Sequence, residues 1–147
     1  PEQVLELVPQ RPPFRFIDEL VELDDNHAIG RYTFKMDESF YEGHFPGRPV
    51  TPGVILIETM CQTGIVALGL YLLAQEVGLD ELVRYITLFT DADVEFSGMV
   101  LPGETVTVTA EPVFWRRRKL RCKVAMTSTQ GKIVASGVVS GMGVKFD

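Results

Sequence analysis

The sequence contains little cysteine. Cys61 and Cys122 lie far apart among apolar neighbours and form neither a disulfide framework nor a metal-ligand spacing, so small core residues in a reducing compartment are the expected reading. It also lacks any surplus of positive charge. The 14 basic residues against 20 acidic ones leave a net charge of -6, which excludes a global attraction to nucleic acid or anionic lipid. The opening "PEQVLELVPQ" has neither the basic region nor the long apolar region of a secretion signal, so a cytoplasmic location is expected. No repeat, low-complexity tract or linker divides the 147 residues, which are predicted to form one domain over 1–147.

Long apolar runs are scarce as well. Residues 54–77, "VILIETMCQTGIVALGLYLLAQEV", come nearest, but Glu58, Thr59, Gln62 and Thr63 interrupt the first half. A membrane span needs about 18 uninterrupted apolar residues, so the stretch reads as a long buried helix. Thr51 is placed to cap it through its side chain, Pro52 suits its first turn, and Gly53 permits close approach there.

Around this helix the sequence reads as strands. "RFIDELVELD" and "HAIGRYTFKM" flank the polar turn Asp24-Asp25-Asn26, predicting an antiparallel hairpin. "VRYITLFTDADVEF" reads as a further strand, and in "ETVTVTAEPVFW" Val106, Val108 and Ala110 alternate with Thr105, Thr107 and Thr109. "KLRCKVAMTST" and "KIVASGVVSGMGV" flank Gln130-Gly131, a second hairpin signal. A helix apolar on most sides must be covered, so the expected architecture is α+β, a curved antiparallel sheet wrapped around one helix.

Chemistry concentrates just before that helix. In "YEGHFPGRPVTPG", residues 41–53, glycines and prolines constrain a loop around a single histidine, with Pro46, Gly47 and Pro49 shaping its path. An imidazole has a reference pKa of about 6.5 and serves as a base near neutral pH. The competing role for His44 is a hydrogen bond that only holds the loop. Glu58 is a carboxyl group in an apolar segment, where burial raises its pKa and lets it keep a proton. Gln62, one turn further on the same face, is placed to orient it. Free N–H groups near Gly53 can polarise a carbonyl oxygen. Together these groups suit removal of a proton beside a carbonyl and expulsion of a neighbouring hydroxyl as water.

"GHFPGRPVTPGVILIETMCQ" resembles the active-site segment of the 3-hydroxyacyl-acyl carrier protein dehydratases, which have the hot-dog fold. The likeness extends from "RPPFRFIDEL" through "SFYEGHFPG" to "DADVEFSGMVLPGETVTV". The resemblance implies dehydration of a (3R)-3-hydroxyacyl thioester to the trans-2-enoyl thioester without a metal or redox cofactor. It implies His44 and Glu58 as catalytic residues and Gly53 as the donor to the thioester carbonyl. Glutamate at position 58 resembles the branch that only dehydrates; the isomerising branch usually has aspartate. The resemblance further implies a homodimer, with His44 of one chain facing the partner's Glu58.

Arg48 and Thr51 stand where histidine and methionine are usual, Thr59 replaces an alanine, and "VPQRPPF" lacks a familiar histidine and tyrosine. General fatty-acid synthesis and a specialised lipid, polyketide or polyene pathway are both compatible with these departures. Tyr41 and Phe45, with Phe40, are candidates to line a substrate tunnel, ordinary core being the competing role. "WRRRKLR" gathers Arg116, Arg117, Arg118, Lys119 and Arg121, a candidate dock for acyl carrier protein and its phosphopantetheine arm, or else a solvated turn. No series of stacking aromatics accompanies it, which argues against nucleic acid. Two other functions share the same fold: a hot-dog thioesterase, revealed by thiol release without enoyl formation, and a non-catalytic acyl-binding or scaffold subunit.

Overall fold

The Asp24 side chain closes the first hairpin by accepting hydrogen bonds from the Asn26 and His27 N–H groups at 2.7 and 2.9 Å, so β1 (Glu19–Leu23) turns directly into β2 (Ala28–Thr33). The computed structural model describes residues 1–146. After β2 the chain passes through the loop of residues 41–53 into a continuous helix, Gly53–Val77, and then into β3 (Tyr85–Phe96), β4 (Thr105–Arg116), β5 (Lys119–Thr127) and β6 (Ile133–Lys145). All pairings are antiparallel, in the order β1-β2-β4-β5-β6-β3.

The expected alternation in β4 holds: Val106, Val108 and Ala110 are buried against the helix. β4 and β5 are joined by Arg117 and Arg118 alone, both with positive φ (51° and 62°), the geometry that matches the twist of a two-residue hairpin. Gly131, at φ 81°, serves the β5–β6 turn.

The central helix is long and apolar enough to cross a membrane by length and composition, but most of its apolar stretch is covered by the sheet. Leu56, Met60, Ile65 and Leu68 sit in one core with Val108, Leu120, Val124 and Val139 from the strands. Contact is close at Gly64, where a Cβ would lie 2.9 Å from Val124 Cγ1. Burial pushes the Cys61 and Cys122 thiols up to about 12, in keeping with neutral core residues, and Cys122 Sγ donates to the Gly64 carbonyl at 3.2 Å.

Two features differ from the sequence reading. The helix widens into a π-helical segment over Gln62–Ala67. All six of those residues are buried, so no polar-apolar period marks the change of pitch. Thr51 does not cap the helix: the capping position falls to Pro52 with no side-chain bond, because the Thr51 hydroxyl is engaged by Tyr41 at 2.6 Å.

Candidate active site

The loop before the helix is laced by its own backbone. Val50 N–H donates to His44 C=O at 2.9 Å, Phe45 N–H to Arg48 C=O at 3.2 Å, and Arg48 N–H to Phe45 C=O at 2.9 Å, with Gly47 at φ 74° in the bend. The half-buried His44 is held at two points. Its Nδ1 lies 2.9 Å from the Val50 carbonyl, and its ring stacks on Phe45 with centroids 4.1 Å apart. A carbonyl can only accept, so Nδ1 carries the hydrogen and the neutral ring leaves Nε2 with a free lone pair. The loop-holding bond and the free nitrogen are therefore two ends of one imidazole, so holding the loop does not use up the lone pair.

At the helix start, the Ile55 and Leu56 N–H groups both turn to Pro52 C=O, while Gly53 N–H has no hydrogen-bond partner among the described residues. A Cβ at residue 53 would sit 3.0 Å from Phe96 Cζ, so glycine is what lets the tip of the Phe96 ring, from β3, approach this end of the helix. The helix dipole and the free donor together favour negative charge here.

Glu58 lies one turn further along, half-buried. Its pKa is raised by desolvation, and the bond from Gln62 opposes the rise. Gln62 is fully buried and satisfied in every direction. Its Oε1 accepts from Phe16 N–H at 2.7 Å, and its Nε2 donates to Phe14 C=O at 2.9 Å and to Glu58 Oε2 at 2.8 Å. The backbone of residues 14–16 thereby fixes which way the amide faces, and the amide fixes Glu58. The expected Gln62–Glu58 pairing is present; the anchoring by Phe14 and Phe16 has no local signal, since it joins residues far apart in the chain.

Within one protomer His44 and Glu58 make no hydrogen bond to each other; each is held by its own partner. Tyr41 is buried in the core, its hydroxyl engaged, whereas Phe45 is exposed beside His44. Phe96, which the sequence reading did not single out, sits against Gly53 from a strand distant in sequence. Among the described residues no group of three or more His, Cys, Asp or Glu side chains is placed to hold a metal ion.

The basic residues cluster at the β4–β5 turn. The Arg116 and Arg121 guanidinium groups lie 4.5 and 5.6 Å from the Phe114 ring, and Arg118 lies 5.2 Å from the Tyr85 ring. Arg121 also reaches Ser140 Oγ at 3.0 Å and Asp91 at 3.5 Å. Phe114, Arg116, Arg117, Lys119 and Met142 border a surface groove of about 470 Å³. Arg117 is exposed and has no aromatic or acidic partner among the described residues.

A curved antiparallel sheet wrapped around one long helix, with a histidine loop leading into the helix start, defines a hot-dog-fold protein. Solved structures share the architecture: the dehydratase heterocomplex ApeI:P from Xenorhabdus doucetiae aligns with a TM-score of 0.80 at 15% identity over 97% of this chain and 91% of that one. The Escherichia coli PaaI protein, from the phenylacetic acid degradation operon, aligns at 0.60 with 16% identity over 84% and 81%.

The chain belongs to the FabA-like domain family, whose match runs over residues 8–138. It is 36% identical over 138 residues to the 3-hydroxyacyl-[acyl-carrier-protein] dehydratase FabZ of Herpetosiphon aurantiacus, covering 92% of both chains. It is 33% identical over 147 residues to FabZ of Xanthomonas campestris pv. campestris, covering 97% of this chain and 91% of that one.

Proposed function

We propose that residues 1–147 act as one dehydratase domain that converts a (3R)-3-hydroxyacyl thioester into the trans-2-enoyl thioester and water. The observation that carries the reading is the fixed His44 ring: Nδ1 is committed to Val50 C=O, which leaves Nε2 as the free base. Family membership and the FabZ relatives support it. His44 Nε2 takes a proton from C2, and Gly53 N–H receives the negative charge that develops on the thioester oxygen. Glu58, whose pKa is raised by burial, gives a proton to the C3 hydroxyl as the C–O bond breaks. One proton leaves carbon and one reaches the departing oxygen, so the reaction is balanced without an external oxidant or reductant.

The site is completed by a second copy. In the protomer β3 pairs with β6 alone, leaving one edge of a 12-residue strand free, with Leu88, Phe89 and Phe96 exposed along it. An open edge of this length is a template for strand pairing. In a homodimer formed there, His44 of one chain would face the partner's Glu58, consistent with the two making no hydrogen bond to each other within one chain. The proposed carrier is acyl carrier protein, docking on the basic β4–β5 turn, in fatty-acid synthesis or a related lipid or polyketide pathway of the cytoplasm.

The test is mass spectrometry of 3-hydroxyacyl thioesters of several chain lengths after incubation with the wild type, His44→Ala and Glu58→Gln. Loss of water with the wild type and not with either variant is expected. Release of free thiol without enoyl product would make the protein a thioesterase, and intact substrate at every length and on either carrier would leave only acyl binding.

A further inference from the structure

Tyr41 and Thr51 stand at the two ends of the stretch that carries His44, and their side chains meet. The hydroxyls lie 2.6 Å apart, in residues only 6% and 4% exposed. Each end is anchored independently. Tyr41 N–H donates to Glu38 C=O at 3.1 Å and its ring packs edge-on against Phe40 at 4.8 Å, while Thr51 N–H donates to Val100 C=O at 2.9 Å. Further along the loop come the two His44–Val50 bonds and then the Phe45–Arg48 pair. The loop is therefore a short laced hairpin, and the hydroxyl pair is the rung at its base.

We infer that Tyr41 is a positioning residue, whose bond to Thr51 fixes the base of the 41–51 loop and so the orientation of the His44 ring that it carries. This rests on the dehydratase reading only for its kinetic consequence. Thr51 directly follows Val50, whose carbonyl holds His44 Nδ1, and precedes Pro52 and Gly53. A displacement at Thr51 thus moves the histidine's anchor and the oxyanion donor together. Neither hydroxyl has bulk water to replace its partner, and a buried bond is stronger for its low-dielectric surroundings. A misplacement of about 1 Å near reacting groups costs about 10²-fold in rate.

Tyr41→Phe keeps the ring in the core and removes one oxygen. It is expected to lower kcat by about 10- to 100-fold with KM changed less than about twofold. The readout that does not depend on activity is ¹⁵N NMR of the imidazoles, tractable because the chain has 2 histidines. Neutral His44 should be the Nδ1–H tautomer in the wild type and a mixture of tautomers in Tyr41→Phe. Tyr41→Phe/Thr51→Val removes the orphaned hydroxyl as well. It should recover the melting temperature, because replacing both partners by apolar groups is nearly neutral, while the mixed tautomer and low kcat persist.

If kcat and tautomer return together with the melting temperature in the double variant, the pair is structural only and the inference is overturned. It is equally overturned if Tyr41→Phe keeps the wild-type kcat and tautomer. If the variant loses the single tautomer but the wild type dehydrates no thioester, the dehydratase reading fails and the placement of His44 by Tyr41 stands.

Discussion

Replacing Glu58 with glutamine separates the proton of this side chain from its geometry. The glutamine carbonyl can accept from Gln62 Nε2 as Glu58 Oε2 does at 2.8 Å, and Gln62 stays fixed by Phe16 N–H and Phe14 C=O. What disappears is the titratable group. If Glu58 supplies the proton to the leaving hydroxyl, the loss should be about 10²–10⁴-fold in turnover, on the order of 3–5 kcal/mol of barrier.

Stability should move the other way. Desolvation raises the Glu58 pKa in the folded chain, so the folded state holds that proton more tightly than the unfolded state does. The contribution is therefore fully present below the unfolded carboxyl value and is lost as pH rises through the raised folded value. Glutamine bears no such pH-dependent cost. The melting temperature of Glu58→Gln should match the wild type below the ordinary carboxyl value, exceed it by a growing margin as pH rises through the raised Glu58 value, and keep that margin above it. Turnover of an acyl thioester at neutral pH, and thermal unfolding followed from below the ordinary carboxyl value to pH 9, test the two halves separately. More than a tenth of wild-type turnover in the variant would refute Glu58 as the proton donor, and a melting difference independent of pH would refute the burial argument.

Gln62→Leu orphans the buried Phe16 N–H, whereas the Phe14 carbonyl lies nearer solvent. The expected loss is about 1–3 kcal/mol in denaturant unfolding, with the Glu58 pKa rising further because its opposing donor is gone. His27 sits between Glu22 at 2.9 Å and Asp24 at 3.0 Å, and its pKa is raised first by the Glu22 bond. Its contribution is present below the ordinary histidine value and fades as pH rises through the raised one, so His27→Ala should lower the melting temperature at pH 6 and leave it nearly unchanged at pH 9. Reversing charge at Arg117 and Lys119 should raise KM for an acyl-carrier-protein substrate with little effect on a small thioester; equal effects on both would argue against docking at the β4–β5 turn.

Local patterns carried much of this protein. The alternation at Val106, Val108 and Ala110, the Asp24 turn and Gly131 identify strands and hairpins because each signal is complete within a few residues. The Glu58–Gln62 pair was readable for the same reason, since one helical turn brings the two side chains together. The constrained backbone of the histidine loop was legible too, because its glycines and prolines lie within a few residues of one another.

Other features depend on residues that meet only after folding. Thr51 could cap the helix by local rules, but tertiary packing brings a buried Tyr41 hydroxyl to it and the cap is forgone. The anchoring of Gln62 by Phe14 and Phe16, the approach of the Phe96 ring to Gly53, and the placement of β3 at an open edge beside β6 all join segments distant in the chain. The π-helical segment is silent in the sequence because its residues are uniformly buried. The sequence by itself determined the elements, the curved sheet around its helix and the chemical groups of the site, through periods of two and about 3.6 residues and through residue chemistry. Only the tertiary structure decided which nitrogen of His44 is free and what holds Glu58, because hydrogen-bond partners are allotted by the packing of the whole chain.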